Sequence, residues 1–198
     1  MTLTIELFFA GLAIFLMVLR YVFYFSSIYK KETRPHVFSW LNWGIVVGIG
    51  AAAQLKLDST GMSGWVLAIV SVSCLLIAGL AVFVGEKNIT RGDWLTFLGA
   101  LAIIPVWQAT EEPVIALILV VTIDFLSYYP SFRKTWIDPT SEPPFSTFLA
   151  GARYFCLLFT IQDPTWENML YPVFLMSIDW VYAFMIVIRR SIVRKQLT

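Results

Sequence analysis

The 198-residue chain is 59% hydrophobic and 14% charged, with a formal net charge of +1 and a mean hydropathy of +0.76. A soluble domain carries about 25% charged residues, so this composition excludes a water-coated globule and places most of the surface in a bilayer. The near-neutral balance removes nucleic acid as a partner. Two cysteines, Cys74 and Cys156, sit inside apolar runs, and His36 is the lone histidine; that set predicts no metal site, no disulfide and no cofactor.

A spanning helix needs roughly 20 mostly apolar residues, and seven candidates follow in order. They are Ile5 to Ile28, Val37 to Leu55, Met62 to Val84, Trp94 to Ala109, Pro113 to Tyr129, Phe145 to Ile161, and Leu170 to Ile188. The first lacks the basic leader of a signal peptide and reads as a retained span. All are predicted helices, because open strands leave backbone groups unpaired in lipid and no run alternates as a barrel strand does. Thr110-Glu-Glu-Pro113 is a tight turn with Pro at a helix start. Gly44, Gly48 and Gly50 give the second span a small-residue face for close packing. Pro105 and Pro130 each remove a backbone donor and mark a kink or a hinge.

Lys and Arg collect on one side of these spans. Lys30, Lys31, Arg34, Lys87, Arg91, Arg133, Lys134, Arg189, Arg190, Arg194 and Lys195 lie in alternate loops and the tail. The opposite side has Lys56 with Asp58, Glu111, Glu112, Asp163 and Glu167. The asymmetry predicts an N-terminus outside and a C-terminus in the cytoplasm, hence an odd number of spans, in the plasma (inner) membrane. Trp65, Trp94, Trp107, Trp136 and Trp166 fall near span ends, as an interfacial belt requires. The basic tail after Ile188 is expected on anionic headgroups.

The connection after the first span recurs after the fifth. Tyr24, Ser27, Lys30 and Pro35 align with Tyr128, Ser131, Lys134 and Pro139, and after a short insertion Phe38-Ser39 aligns with Phe145-Ser146. Such a repeat predicts a duplicated unit. Residues 1–85 hold one triple-helix bundle, 86–110 a linker helix, and 111–198 the second bundle. The linker restores the second copy to the same sense, so the bundles are parallel about an axis along the membrane normal.

This layout resembles the SWEET sugar transporters and the wider PQ-loop superfamily, in which two triple-helix units flank a linker helix. The resemblance also rests on Ser26-Ser27, Lys30 and Val37-Phe38-Ser39, and on Pro130-Ser131, Lys134 and Pro144-Phe145-Ser146. The family's Gln is missing from both copies. The resemblance implies an all-α, seven-helix fold but names no ligand, because the superfamily spans sugar carriers, amino-acid exporters, retrieval receptors and, on the same layout, vitamin transporters.

Charges inside spans are the informative residues, since each costs about 2.5–3.5 kcal/mol at a helix centre on insertion scales. Four stand out: Arg20, Asp124, Arg153 and Asp179. Arg20 and Asp124 are equivalent in the repeat and are expected to pair as a gate or latch between bundles. Arg153 and Asp179 are expected to pair within the second bundle, with Asp179 open to proton coupling; the alternative is that both pairs only hold helices together. Asn42, Trp43, Asp179, Trp180 and Arg153 are the substrate-binding candidates. Asn42 and Trp43 also fit an interhelical hydrogen bond and a belt residue. The sequence shows no set of nucleophile, base and orienting group, so an enzyme is the least favoured class. The leading expectation is a transporter of a small polar solute by alternating access. A receptor or assembly factor that binds without translocation is the alternative.

Overall fold

A computed structural model describes residues 3–33, 35–85, 90–110 and 112–196. Arg34, Lys87 and Glu111, and the side chains of Trp107 and Pro130, lie outside what is described. The described chain forms seven α-helices and no strand: α1 (Leu3–Tyr29), α2 (Val37–Leu57), α3 (Ser63–Val84), α4 (Arg91–Thr110), α5 (Pro113–Ile137), α6 (Pro144–Leu158) and α7 (Trp166–Gln196). Four of them, α1, α2, α3 and α7, are long and apolar enough to cross a membrane.

The helix ends differ from the sequence expectation in three places. The fifth helix does not stop near Pro130 but runs on to Ile137. The sixth is only 15 residues long, or about 22 Å at 1.5 Å per residue. The seventh continues to Gln196, so Arg189, Arg190, Arg194 and Lys195 are helical rather than a free tail. Arg189 donates to the Trp136 carbonyl at 3.2 and 2.9 Å, and Arg190 to those of Pro139 and Glu142 at 2.8 and 2.9 Å. These two basic residues therefore bind the end of α5 and the α5–α6 connection.

Local chemistry sets the connections. Lys31 adopts a left-handed backbone, φ 61°, just past α1, and Ser27 anchors the turn by bonding Thr33 Oγ1 at 2.6 Å. At the entry of α4, Thr90 N donates to Asp93 Oδ2 at 2.6 Å while Asp93 N turns back to Thr90 Oγ1 at 3.4 Å. This reciprocal pair is a capping box. Asp93 also lies 3.6 Å from His36, tying α4 to the start of α2.

Six helices close a ring in the order α1, α6, α7, α5, α2, α3, with each touching the next. Exchanging α1 with α5, α2 with α6 and α3 with α7 maps every contact in the ring onto another, including the cross-contacts α2–α7 and α3–α6. Matched glycines repeat the exchange at side-chain level. Gly44 of α2 receives Leu75 of α3, and Gly151 of α6 receives Trp180 of α7. Helix α4 lies outside the ring against α2 and α5.

Outward faces are apolar. Phe8, Phe15, Val22 and Phe23 of α1, and Val72, Leu76 and Phe83 of α3, are exposed. Trp65, Trp94, Trp136 and Trp166 are exposed as well, matching the belt positions. Close packing at small residues joins neighbouring helices of the ring.

One of the tightest such contacts is at Gly50, where an added Cβ would strike the ring of Tyr171. Gly50→Ala is expected to cost about 1–3 kcal/mol, as overpacking does. Gly79→Ala, whose new methyl meets no atom within 4 Å, is expected to stay within about 0.5 kcal/mol. Thermal unfolding of both variants in detergent checks the difference.

Candidate functional site

All four charges expected inside the spans reach one place. Arg20 of α1, Asp124 of α5, Arg153 of α6 and Asp179 of α7 line a single inner cavity, together with side chains of α2 and α3. Asp124 is 0% exposed, Arg153 1% and Asp179 4%, while Arg20 is half-buried. The cavity offers about 20 Å³ for water centres, room for about one water.

A larger vestibule of about 90 Å³, by the same measure, opens beside it at the basic end of the bundle. Arg20, Trp43, Tyr128 and Asp179 line both spaces. Positions equivalent in the repeat face these spaces in pairs: Arg20 with Asp124 in the inner cavity, and Tyr24 with Tyr128 and Ser39 with Ser146 in the vestibule.

The expected ion pairs are not formed. Helices α1 and α5 lie opposite one another in the ring and make no contact among the described residues. Neither Arg20–Asp124 nor Arg153–Asp179 comes within salt-bridge distance there. The carboxylates instead take tyrosine hydroxyls across the α5–α7 contact. Tyr128 of α5 donates to Asp179 Oδ1 at 2.8 Å, and Tyr171 of α7 donates to Asp124 Oδ2 at 3.2 Å. Asp179 remains within electrostatic reach of both Arg20 and Arg153.

Several polar atoms here have no protein partner. They are Arg20 Nε, Arg153 Nε and Nη1, Asp124 Oδ1 and the Trp43 indole nitrogen. Aromatic faces shield the cations: Arg153 sits 4.2 Å from the Tyr154 ring centre, and Arg20 5.6 Å from that of Trp40. A guanidinium over such a face gains from the ring quadrupole but leaves its N–H groups unused.

The remaining predicted binding residues divide. Trp43 lies at the junction of the two spaces, its ring centre 5.4 Å from that of Tyr128. Asn42 lines neither space; its amide donates to Ser127 Oγ and links α2 to α5. Trp180 also lines neither. It packs over Gly151, donates to the Phe148 carbonyl at 3.3 Å and stacks on Phe148. Asp179 and Trp180 are neighbours in a helix, so about 100° separates their directions, and only the carboxylate turns inward.

The far end of the bundle is sealed by groups that the sequence reading passed over. Glu6, 1% exposed, accepts from Met62 N at 2.9 Å and from the Gln162 side chain. Asp58, 3% exposed, accepts from Gly61 N at 3.2 Å and Gln162 N at 3.1 Å. The start of α1, the α2–α3 connection and the α6–α7 connection are thereby locked together. The available signal was a carboxylate one turn inside an apolar run, where only a buried role repays its insertion. The cavity tyrosines were visible as the aligned pair Tyr24 and Tyr128; Tyr171 had no such flag.

Comparison of the chain with protein-family models, with curated proteins and with solved structures matches nothing in any of the three.

Removing the Glu6 carboxylate takes the acceptor from the half-buried Gln162 side chain and leaves the Met62 amide only its 3.3 Å bond to the Thr160 carbonyl. Glu6→Ala is expected to cost about 1–3 kcal/mol. Glu6→Gln, which keeps one acceptor oxygen, is expected to cost about half as much. Thermal unfolding in detergent ranks the two.

Proposed function

We propose that the protein is a seven-span membrane transporter that moves a small polar solute by alternating access. One observation carries this reading: four charged side chains from four helices line one interior space that shares lining residues with a polar vestibule. Charges in a bilayer that serve only to hold helices together pair directly; these stand apart around a cavity. The lining draws on helices of both halves of the ring, the position in which repeat-built carriers hold their solute. The open vestibule and the Glu6–Asp58 seal give the two ends unequal access, as one state of an alternating cycle requires.

Three helices fall short of the spanning criterion met by α1, α2, α3 and α7. They cross in this reading because α5 and α6 are members of the ring and α4 packs against α2 and α5. α5 carries Asp124 and basic residues near its end, and α6 is short, which a locally thinned bilayer accommodates. The N-terminus then lies outside and the vestibule faces the cytoplasm. The SWEET-like layout, with residues 1–85 and 111–198 as parallel bundles and α4 as linker, agrees with the exchange symmetry of the contacts.

The receptor alternative keeps the same cavity but binds without translocation. Uptake into proteoliposomes separates them. With a mixed panel of radiolabelled amino acids, sugars, nucleosides and vitamins, at least one solute is expected to accumulate or exchange. Asp179→Asn is expected to lower that flux at least about tenfold, since it takes the balancing charge from Arg20 and Arg153. Binding without flux for every solute favours the receptor.

A further inference from the structure

The inner cavity is sorted by charge. Its guanidiniums come from α1 and α6, which touch, and its carboxylates from the next two helices of the ring, α7 and α5, which touch in turn. Each wall has unused hydrogen-bonding capacity among the residues that line it. The cationic wall has Arg20 Nε and Arg153 Nε and Nη1, and the anionic wall has Asp124 Oδ1. Stranding even one buried polar group of this kind costs about 1–3 kcal/mol, and more for charged groups, so the set is built to receive something.

The geometry points to a zwitterionic α-amino acid with an uncharged side chain as the solute, its carboxylate taken by Arg153 and Arg20 and its ammonium by Asp124. A simple anion uses only the cationic wall and leaves Asp124 Oδ1 stranded. A simple cation uses only the anionic wall. A neutral sugar satisfies hydrogen bonds but leaves the sorted charges uncompensated across the cavity. A molecule with both charges on adjacent carbons answers both walls at once. Its side chain extends past Trp43 and Tyr128, which line both spaces, into the vestibule; that aromatic passage suits an aliphatic or aromatic group. In the present state the inner space holds about one water, so the solute enters as the walls part. This assignment rests on the cavity being a solute site, as the transport reading holds.

The test uses full-length protein in nanodiscs with three related probes: L-leucine, isoamylamine, which lacks the carboxylate, and N-acetyl-L-leucine, which lacks the ammonium. Calorimetric titration is expected to show leucine binding, with each truncated probe at least about tenfold weaker. Arg153→Gln is expected to erase the preference over isoamylamine, and Asp124→Asn the preference over N-acetyl-leucine. The probe series in unmutated protein stands even if a variant does not fold. Equal binding of the three probes, or none by leucine, overturns the amino-acid assignment. Should a sugar or nucleoside cross proteoliposomes while leucine neither binds nor crosses, that assignment falls and the transporter reading survives. Selective leucine binding with no flux of any solute upholds the assignment and removes the transporter reading.

Discussion

The constraint that governs this molecule is the cost of bringing charge into hydrocarbon. Four ionisable side chains within the helices cost on the order of 10–14 kcal/mol together on insertion scales, as much as the whole net stability of a typical domain. The chain meets that cost by turning all four inward to one cavity. The exterior can then remain apolar, and the ring closes around a polar centre rather than an oily one. Most other features serve this arrangement: the glycines let helices approach closely, and the aromatic faces cover the guanidiniums.

The α5–α7 contact shows how the carboxylates are held. Each helix sends a tyrosine to the other's aspartate, Tyr128 to Asp179 and Tyr171 to Asp124. Tyr171 is itself seated against Gly50, so a backbone position in α2 fixes an acid in α5 through a ring from α7. No direct ion pair forms there; hydroxyl donors hold the acids in place. The guanidiniums are held more loosely, by π faces and packing.

How much of this the sequence disclosed depends on the kind of information needed. Helix number and rough bounds followed from apolar runs, because hydropathy is local. The repeat gave correct companions for Arg20 and Tyr24, since a duplicated frame places aligned residues on equivalent walls. It gave the wrong contact for Arg20 and Asp124, because residues related across an axis share a cavity without touching. Asn42 makes the interhelical hydrogen bond that the sequence reading held open as its alternative; Trp180 was misplaced because depth along a helix is legible, but facing is not when apolar residues surround the whole circumference. The rotation that turns Asp179 in and Trp180 toward Gly151 is decided by packing between helices. The seal was missed because Glu6, Asp58 and Gln162 lie in three distant segments.

The seal also has a thermodynamic consequence. Three donors, Met62 N, Gln162 N and the Gln162 amide, cross between segments to reach Glu6 and Asp58. At about 1 kcal/mol net for each, parting them with water ready to replace each bond costs roughly 3 kcal/mol. An unlatched form would then make up on the order of one molecule in a hundred at rest, within the range of minor conformers that a bound partner can select. A fastening of that strength holds three distant segments together, yet thermal agitation alone releases it.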